Sequence, residues 1–205
     1  KEKIKPDLIV AIGGGCVMDY AKIASVFKIS NDLKERVKYS NFNTLKTTVL
    51  AIPTTAGSGA EVTSNAVIYI KNHKHSVEGS KIKPDYYYLN SSLILSSKIK
   101  NDASSGIDAI CQATESLFSV KSNKRSVAYA KKALKILFNN YSKFLKKKDK
   151  KNSYKMLLGA NYAGKAINIS KTTLPHAVSY PFTSQFNIAH GHAVSLTINK
   201  FLNFI

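Results

Sequence analysis

An apolar run, Asp7-Leu8-Ile9-Val10-Ala11-Ile12, stops at three consecutive glycines, Gly13-Gly14-Gly15, and an amphipathic helix pattern from Cys16 to Phe27 follows. A strand that turns on glycines directly into a helix is the opening of a nucleotide-binding α/β unit. Glycine lets the backbone approach a pyrophosphate, and the helix N-terminus behind it offers unpaired N–H groups and the positive end of the helix dipole. The turn lacks the Gly-Lys-Ser/Thr of a Walker loop and the spacing of G-x-G-x-x-G. By itself it is equally a tight connection with no ligand.

The rest of the chain divides by periodicity. Thr47 to Ile52 reads as a second buried strand, Val62 to Ile70 alternates as a strand does, and Tyr86 to Leu89 after Pro84 is a further short one. Beyond about Ser97 helical spacing dominates: Ala103–Ser119, Ser126–Leu145, Tyr154–Ile169 and Ala189–Phe204. The lysine run from Lys146 to Lys151 is expected to be an exposed loop. The expected fold is α/β: a partial Rossmann-like nucleotide-binding domain over residues 1–98, followed by part of an all-α domain over residues 99–205. The chain opens just before a strand expected to be central and closes inside an apolar helix, so it reads as an internal fragment.

Composition narrows the partners. The net charge is +19 over 205 residues, but the basic residues are almost all lysine, with arginine only at Arg36 and Arg125. Sequence-specific nucleic-acid readers rely on the planar fork of arginine, so a solvated lysine surface is expected and no nucleic-acid partner. A basic surface would still attract an anionic substrate. No run of apolar residues is long enough for a membrane span, and Lys1 to Pro6 does not resemble a signal peptide. Two isolated cysteines, Cys16 and Cys111, form no disulfide framework, and a reducing cytoplasm is expected.

Three further motifs carry chemistry. Pro53-Thr54-Thr55-Ala56-Gly57-Ser58-Gly59 follows the second strand with hydroxyls and small residues suited to phosphate or ribose oxygens, or simply to a connection. In Gly106-Ile107-Asp108-Ala109-Ile110-Cys111-Gln112, Asp108 and Gln112 lie four apart and share a helix face, where their oxygens can face a metal or the core. His176, His190 and His192 fall close together in sequence, and imidazoles are common ligands of divalent metals.

Taken in order, GGG-x-x-x-D-x-A-K, PTTAGSG-x-E-V-T, G-x-D-A, H-A-(x)3-P and a second His fourteen residues after the first resemble the iron-containing alcohol dehydrogenase superfamily along nearly the whole chain. The resemblance implies a dehydroquinate synthase-like architecture, NAD(P)H as cofactor, Fe2+ or Zn2+ as metal, a homo-oligomer, and reversible hydride transfer between aldehyde and alcohol. It implies cofactor contacts from Gly13, Gly14, Gly15, Asp19, Thr54, Thr55, Ser58 and, on a looser alignment, Lys74. It implies metal ligands at Asp108, His176 and His190, with Gln112 where the family usually has a fourth ligand histidine. Tyr180 replaces a histidine that many members keep near the substrate, and Tyr180 or His192 is expected to relay the alcohol proton.

Lys171-Thr172-Thr173, just before His176, brings a cation and two hydroxyls to a stretch that is glycine-rich or apolar in members acting on simple alcohols. These groups suit a tetrahedral oxyanion. Together with Gln112, K-T-T-x-P-H-A-(x)3-P and H-G-H resemble the phosphonoacetaldehyde reductase branch, which implies that Lys171, Thr172 and Thr173 bind a phosphonate. A general aliphatic alcohol dehydrogenase is the alternative within the superfamily. A non-catalytic nucleotide- or polyanion-binding protein is the alternative outside it.

Overall fold

A computed structural model describes residues 6–27, 32–42, 46–70 and 73–204. These residues form two compact units. The first runs to Pro53 and resumes over Ala60–Tyr88, and the second combines Thr54–Gly59 with the chain from Leu89 onward.

In the first unit, β1 (Leu8–Gly13) leads through the glycines into α1 (Gly15–Val26), and β2 (Thr48–Pro53) lies parallel to β1 with Leu8 opposite Thr48 and Gly13 opposite Pro53. A short α2 (Leu33–Lys38) lies between them in sequence. The strand expected from Val62 divides: Ala60–Val62 is a 3-10 turn, and β3 (Asn65–Ile70) pairs antiparallel with β4 (His73–Glu78). The sequence of β4, with one apolar residue among histidines, lysine and glutamate, carries no strand signal of its own; its partner supplies it. β5 (Tyr86–Tyr87) joins the other edge of β2, giving the parallel order β1-β2-β5. Buried Ala11, Ala51, Met18 and Ala21 seat α1 on this sheet.

The second unit is helical: α3 (Ile99–Phe118), α4 (Lys124–Lys146), α5 (Lys150–Ser170), α6 (Leu174–Phe186) and α7 (His190–Leu202). Its core is built on Leu137, Phe144, Met156 and Leu157 with alanines of α3, α4 and α5 between them, small residues that let the helices approach. Asn123 caps α4 by accepting from the Ser126 N–H at 3.0 Å, and Ser126 Oγ accepts from the Asn123 N–H at 2.9 Å. Asp149 caps α5 by accepting from the Asn152 N–H at 2.8 Å. The lysine run is therefore mostly helix end and helix start, with only 147–149 between them. The single acid in the run supplies the cap. α6 shows no clear sequence pattern because it holds two prolines. Pro175 sits in the first turn, where no N–H is needed, and Pro181 is tolerated inside the helix. Among the described residues no helix is long and apolar enough to cross a membrane.

Candidate metal centre and cofactor loops

The metal-type residues all belong to the second unit. Asp108, Gln112 and Glu115 lie along one buried face of α3, at the four- and three-residue spacing that stacks side chains. α6 brings His176 and α7 brings His190. Ligand-capable atoms of Asp108, His176 and His190 all lie within 4.8 Å of one another. Asp108 Oδ1 is the common point, 3.2 Å from His176 Nε2 and 4.0 Å from His190 Nε2. The His190 ring meets the His176 ring edge-on at 5.5 Å and stacks on Tyr180 at 6.3 Å between centroids.

Gly191 makes this assembly possible. A Cβ there would lie 1.9 Å from the Ser104 carbonyl oxygen and 2.8 Å from Asp108 Cβ. Only a glycine lets α7 sit so close to α3 that His190 reaches Asp108. His192, two residues along the helix, is exposed on another face, and among the described residues its imidazole makes no hydrogen bond or ion pair with the cluster.

Gln112 is held at one end only. Its Nε2 donates to Asp108 Oδ2 at 3.1 Å, while its buried Oε1 accepts no hydrogen bond among the described residues. An orphaned buried oxygen is costly unless something fills it. A carboxylate oxygen, two imidazole nitrogens and an amide oxygen form a donor set that fits divalent iron or zinc. Beside them, burial, then the charges of Asp108 and Glu115, push the Cys111 thiol up to about 12.

Glu115 is a site residue that no sequence motif singles out. It is completely buried, and its Oε1 meets His176 Nδ1 in a short hydrogen bond. Its Oε2 accepts from the Thr173 N–H at 2.6 Å and the Thr173 hydroxyl at 2.9 Å. The carboxylate thus fixes the ring so that Nε2 faces Asp108, the usual device for orienting a ligand histidine. Burial works to lower the pKa of His176, but hydrogen bonds to Asp108 and Glu115 outweigh it and raise the value to about 9. Thr173 is engaged by Glu115, while Lys171 and Thr172 are half-buried beside it in the chain.

The glycine turn stands as expected at the junction of β1 and α1. Gly14 caps the helix with no side-chain hydrogen bond, and a Cβ on Gly13 would meet Val17 Cβ at 2.5 Å. Asp19 Oδ2 accepts from the Val67 N–H at 3.0 Å. Below it Lys22, wholly buried, donates to Thr63 Oγ1 at 3.0 Å and to the Asn65 carbonyl at 2.9 Å, with Asp19 Oδ1 at 3.5 Å. Burial pushes Lys22 down and Asp19 up, each opposed by their mutual attraction. In the second unit, Thr54, Thr55 and Ser58 are half-buried in a loop whose glycines pack tightly. A Cβ on Gly57 would lie 2.7 Å from Ser105 Cβ, and one on Gly59, at φ +59°, 2.5 Å from Gly164 Cα. The side chain of Lys74 lies outside the described residues, though its backbone is in β4.

Two histidines and an aspartate converging among helices have the donor types of a metal site, and a glycine turn between a parallel strand and a helix has the form of a nucleotide loop. Residues 2–91 match the family of iron-containing alcohol dehydrogenases and residues 102–205 match the C-terminal part of the same family, so the chain belongs to the iron-containing alcohol dehydrogenases. It is 30% identical over 212 residues to a phosphonoacetaldehyde reductase of Streptomyces viridochromogenes, covering 98% of this chain and 54% of that protein. It is 30% identical over 193 residues to a 4-hydroxybutyrate dehydrogenase of Clostridium kluyveri, covering 90% and 51%. In structure it resembles a sulfoacetaldehyde reductase of Bifidobacterium kashiwanohense solved in complex with NAD+, with TM-score 0.91, 28% identity, and coverage of 97% of this chain and 54% of that one. The chain spans about half the length of the curated relatives it matches.

Proposed function

We propose that this chain belongs to an NAD(P)H-dependent reductase that converts an aldehyde to a primary alcohol, and that its substrate is phosphonoacetaldehyde, reduced to 2-hydroxyethylphosphonate. The convergence of Asp108, His176 and His190, with the orphaned Oε1 of Gln112, carries the reading. Asp108, His176, His190 and Gln112 would hold the iron or zinc. When bound, that ion acts as a Lewis acid on the carbonyl oxygen. Hydride passes from the nicotinamide to the carbonyl carbon and a proton reaches the oxygen, so aldehyde, NAD(P)H and H+ give alcohol and NAD(P)+. Gly13, Gly14 and Gly15 would receive the cofactor pyrophosphate, with Asp19, Thr54, Thr55, Ser58 and Lys74 as further contacts. Tyr180, stacked on His190, is better placed than His192 to handle the alcohol proton.

Lys171 and Thr172 would take the phosphonate, with Thr173 ordering the turn through Glu115. Two of the related proteins are named for aldehydes that bear a tetrahedral oxyanion, which supports this choice. Substituting Lys171→Ala in the full-length enzyme is expected to lower kcat/KM for phosphonoacetaldehyde by about 10- to 100-fold, as loss of a charge-assisted contact does. Acetaldehyde turnover should change far less; equal losses on both substrates would remove the phosphonate role. The second reading, a general aliphatic alcohol dehydrogenase, draws support from the similarity to the 4-hydroxybutyrate enzyme. Efficient butanol oxidation without phosphonoacetaldehyde reduction would favour it. Two unpaired cysteines fit a cytoplasmic enzyme, and a homo-oligomer is the expected assembly.

A further inference from the structure

Lys171 occupies a backbone conformation that side chains avoid. At φ +63° and ψ 173° it lies in a region almost reserved for glycine. A non-glycine residue stays there only when its surroundings impose the conformation. Three buried serines cluster at the residue before it. Ser170 Oγ lies 2.8 Å from Ser116 Oγ and 3.1 Å from the carbonyl oxygens of both Ala166 and Lys171. Ser119 Oγ donates to the Ser170 carbonyl at 2.5 Å. Beyond the strained residue, Glu115 grips Thr173 by its N–H and hydroxyl, so the turn is anchored to α3 on both sides of Lys171.

Glycine would fit this position without strain. We propose that Lys171 is a specificity-determining residue kept at the expense of stability, and that Ser116, Ser119 and Ser170 are positioning residues that hold its turn beside the His176 cluster for an anionic aldehyde. The inference rests on the phosphonoacetaldehyde reading above. It adds that selectivity depends on the serine clamp as well as on the lysine cation.

The test uses Lys171→Gly, Ser170→Ala and Ser119→Ala in the full-length enzyme, with thermal unfolding and the ratio of kcat/KM for phosphonoacetaldehyde to that for acetaldehyde. Lys171→Gly should raise Tm by about 2 °C or more, because relief of strain exceeds the added freedom of glycine in the unfolded chain. It should also lower the substrate ratio at least about tenfold. Each serine variant should lower the ratio by about threefold or more, an effect that general loosening would not confine to the anionic substrate. Ser119→Ala decides the matter if Ser170→Ala does not fold. No rise in Tm for Lys171→Gly, or a ratio unchanged in the serine variants while the wild type reduces phosphonoacetaldehyde, would overturn the inference alone. A wild type that does not reduce phosphonoacetaldehyde would instead overturn the substrate reading beneath it.

Discussion

Replacing Glu115 by alanine is expected to weaken metal binding by about 10- to 100-fold, the usual effect of removing the carboxylate behind a ligand histidine. Two losses combine. His176 Nδ1 loses its acceptor, so the ring is no longer fixed with Nε2 toward Asp108. The Thr173 N–H and hydroxyl lose their partner at the start of α6, the helix that carries His176. Glu115→Gln separates the two: an amide oxygen can still accept from Thr173, but its NH2 cannot accept from Nδ1–H. If ring orientation is what matters, the glutamine variant binds nearly as weakly as the alanine one. Titration with zinc against a chromophoric chelator reads both, and a change of less than about threefold in each would show that Glu115 does not organise the site.

The second large effect concerns the first unit. Lys22→Met is expected to lower the unfolding free energy by about 3–5 kcal/mol, the loss seen when one partner of a buried charge pair is removed. Lys22 is wholly enclosed and meets Thr63, Asn65 and Asp19, with the buried Glu61 acting on its charge. Methionine preserves the packing volume, so the destabilisation reports the stranded carboxylate of Asp19 and the lost hydrogen bonds. Because Lys22 links α1 to the start of β3, NADH binding should weaken in the same variant. Urea unfolding that shows a loss below about 1 kcal/mol would mean the pair is no better than an apolar contact, an outcome known for some buried ion pairs.

The parts of this protein legible in sequence are those written in contiguous residues. The strand, glycine turn and helix from Leu8 to Val26 have that form, as do the long helices with a clear apolar stripe. Asp108, His176 and His190 were identifiable because the order of motifs singles them out, and the fold brings them together. Glu115 and Lys22 were not assigned, because a charged residue acquires its role only from partners far along the chain. For Glu115 those are 58 and 61 residues away, and for Lys22 41 and 43. A usable signal existed for Glu115, since it continues the Asp108–Gln112 face of one helix. Lys22 stood between Ala21 and Ile23 in the buried part of α1, a hint that the lysine was enclosed. Elements without a pattern of their own, β4 and the proline-bearing α6, were beyond reach because pairing and packing decide them. The strain at Lys171 is likewise a property of the folded turn.

Asp108, His176, His190 and Gln112 are proposed above to hold a catalytic metal ion. Elemental analysis after reconstitution with Fe2+ or Zn2+, on the wild type and on Asp108→Ala, tests it most directly. About one equivalent per chain is expected in the wild type, as for a site with a full set of protein donors, and almost none in the variant. A wild type that takes up no metal, or an Asp108→Ala variant that takes up as much, would contradict it.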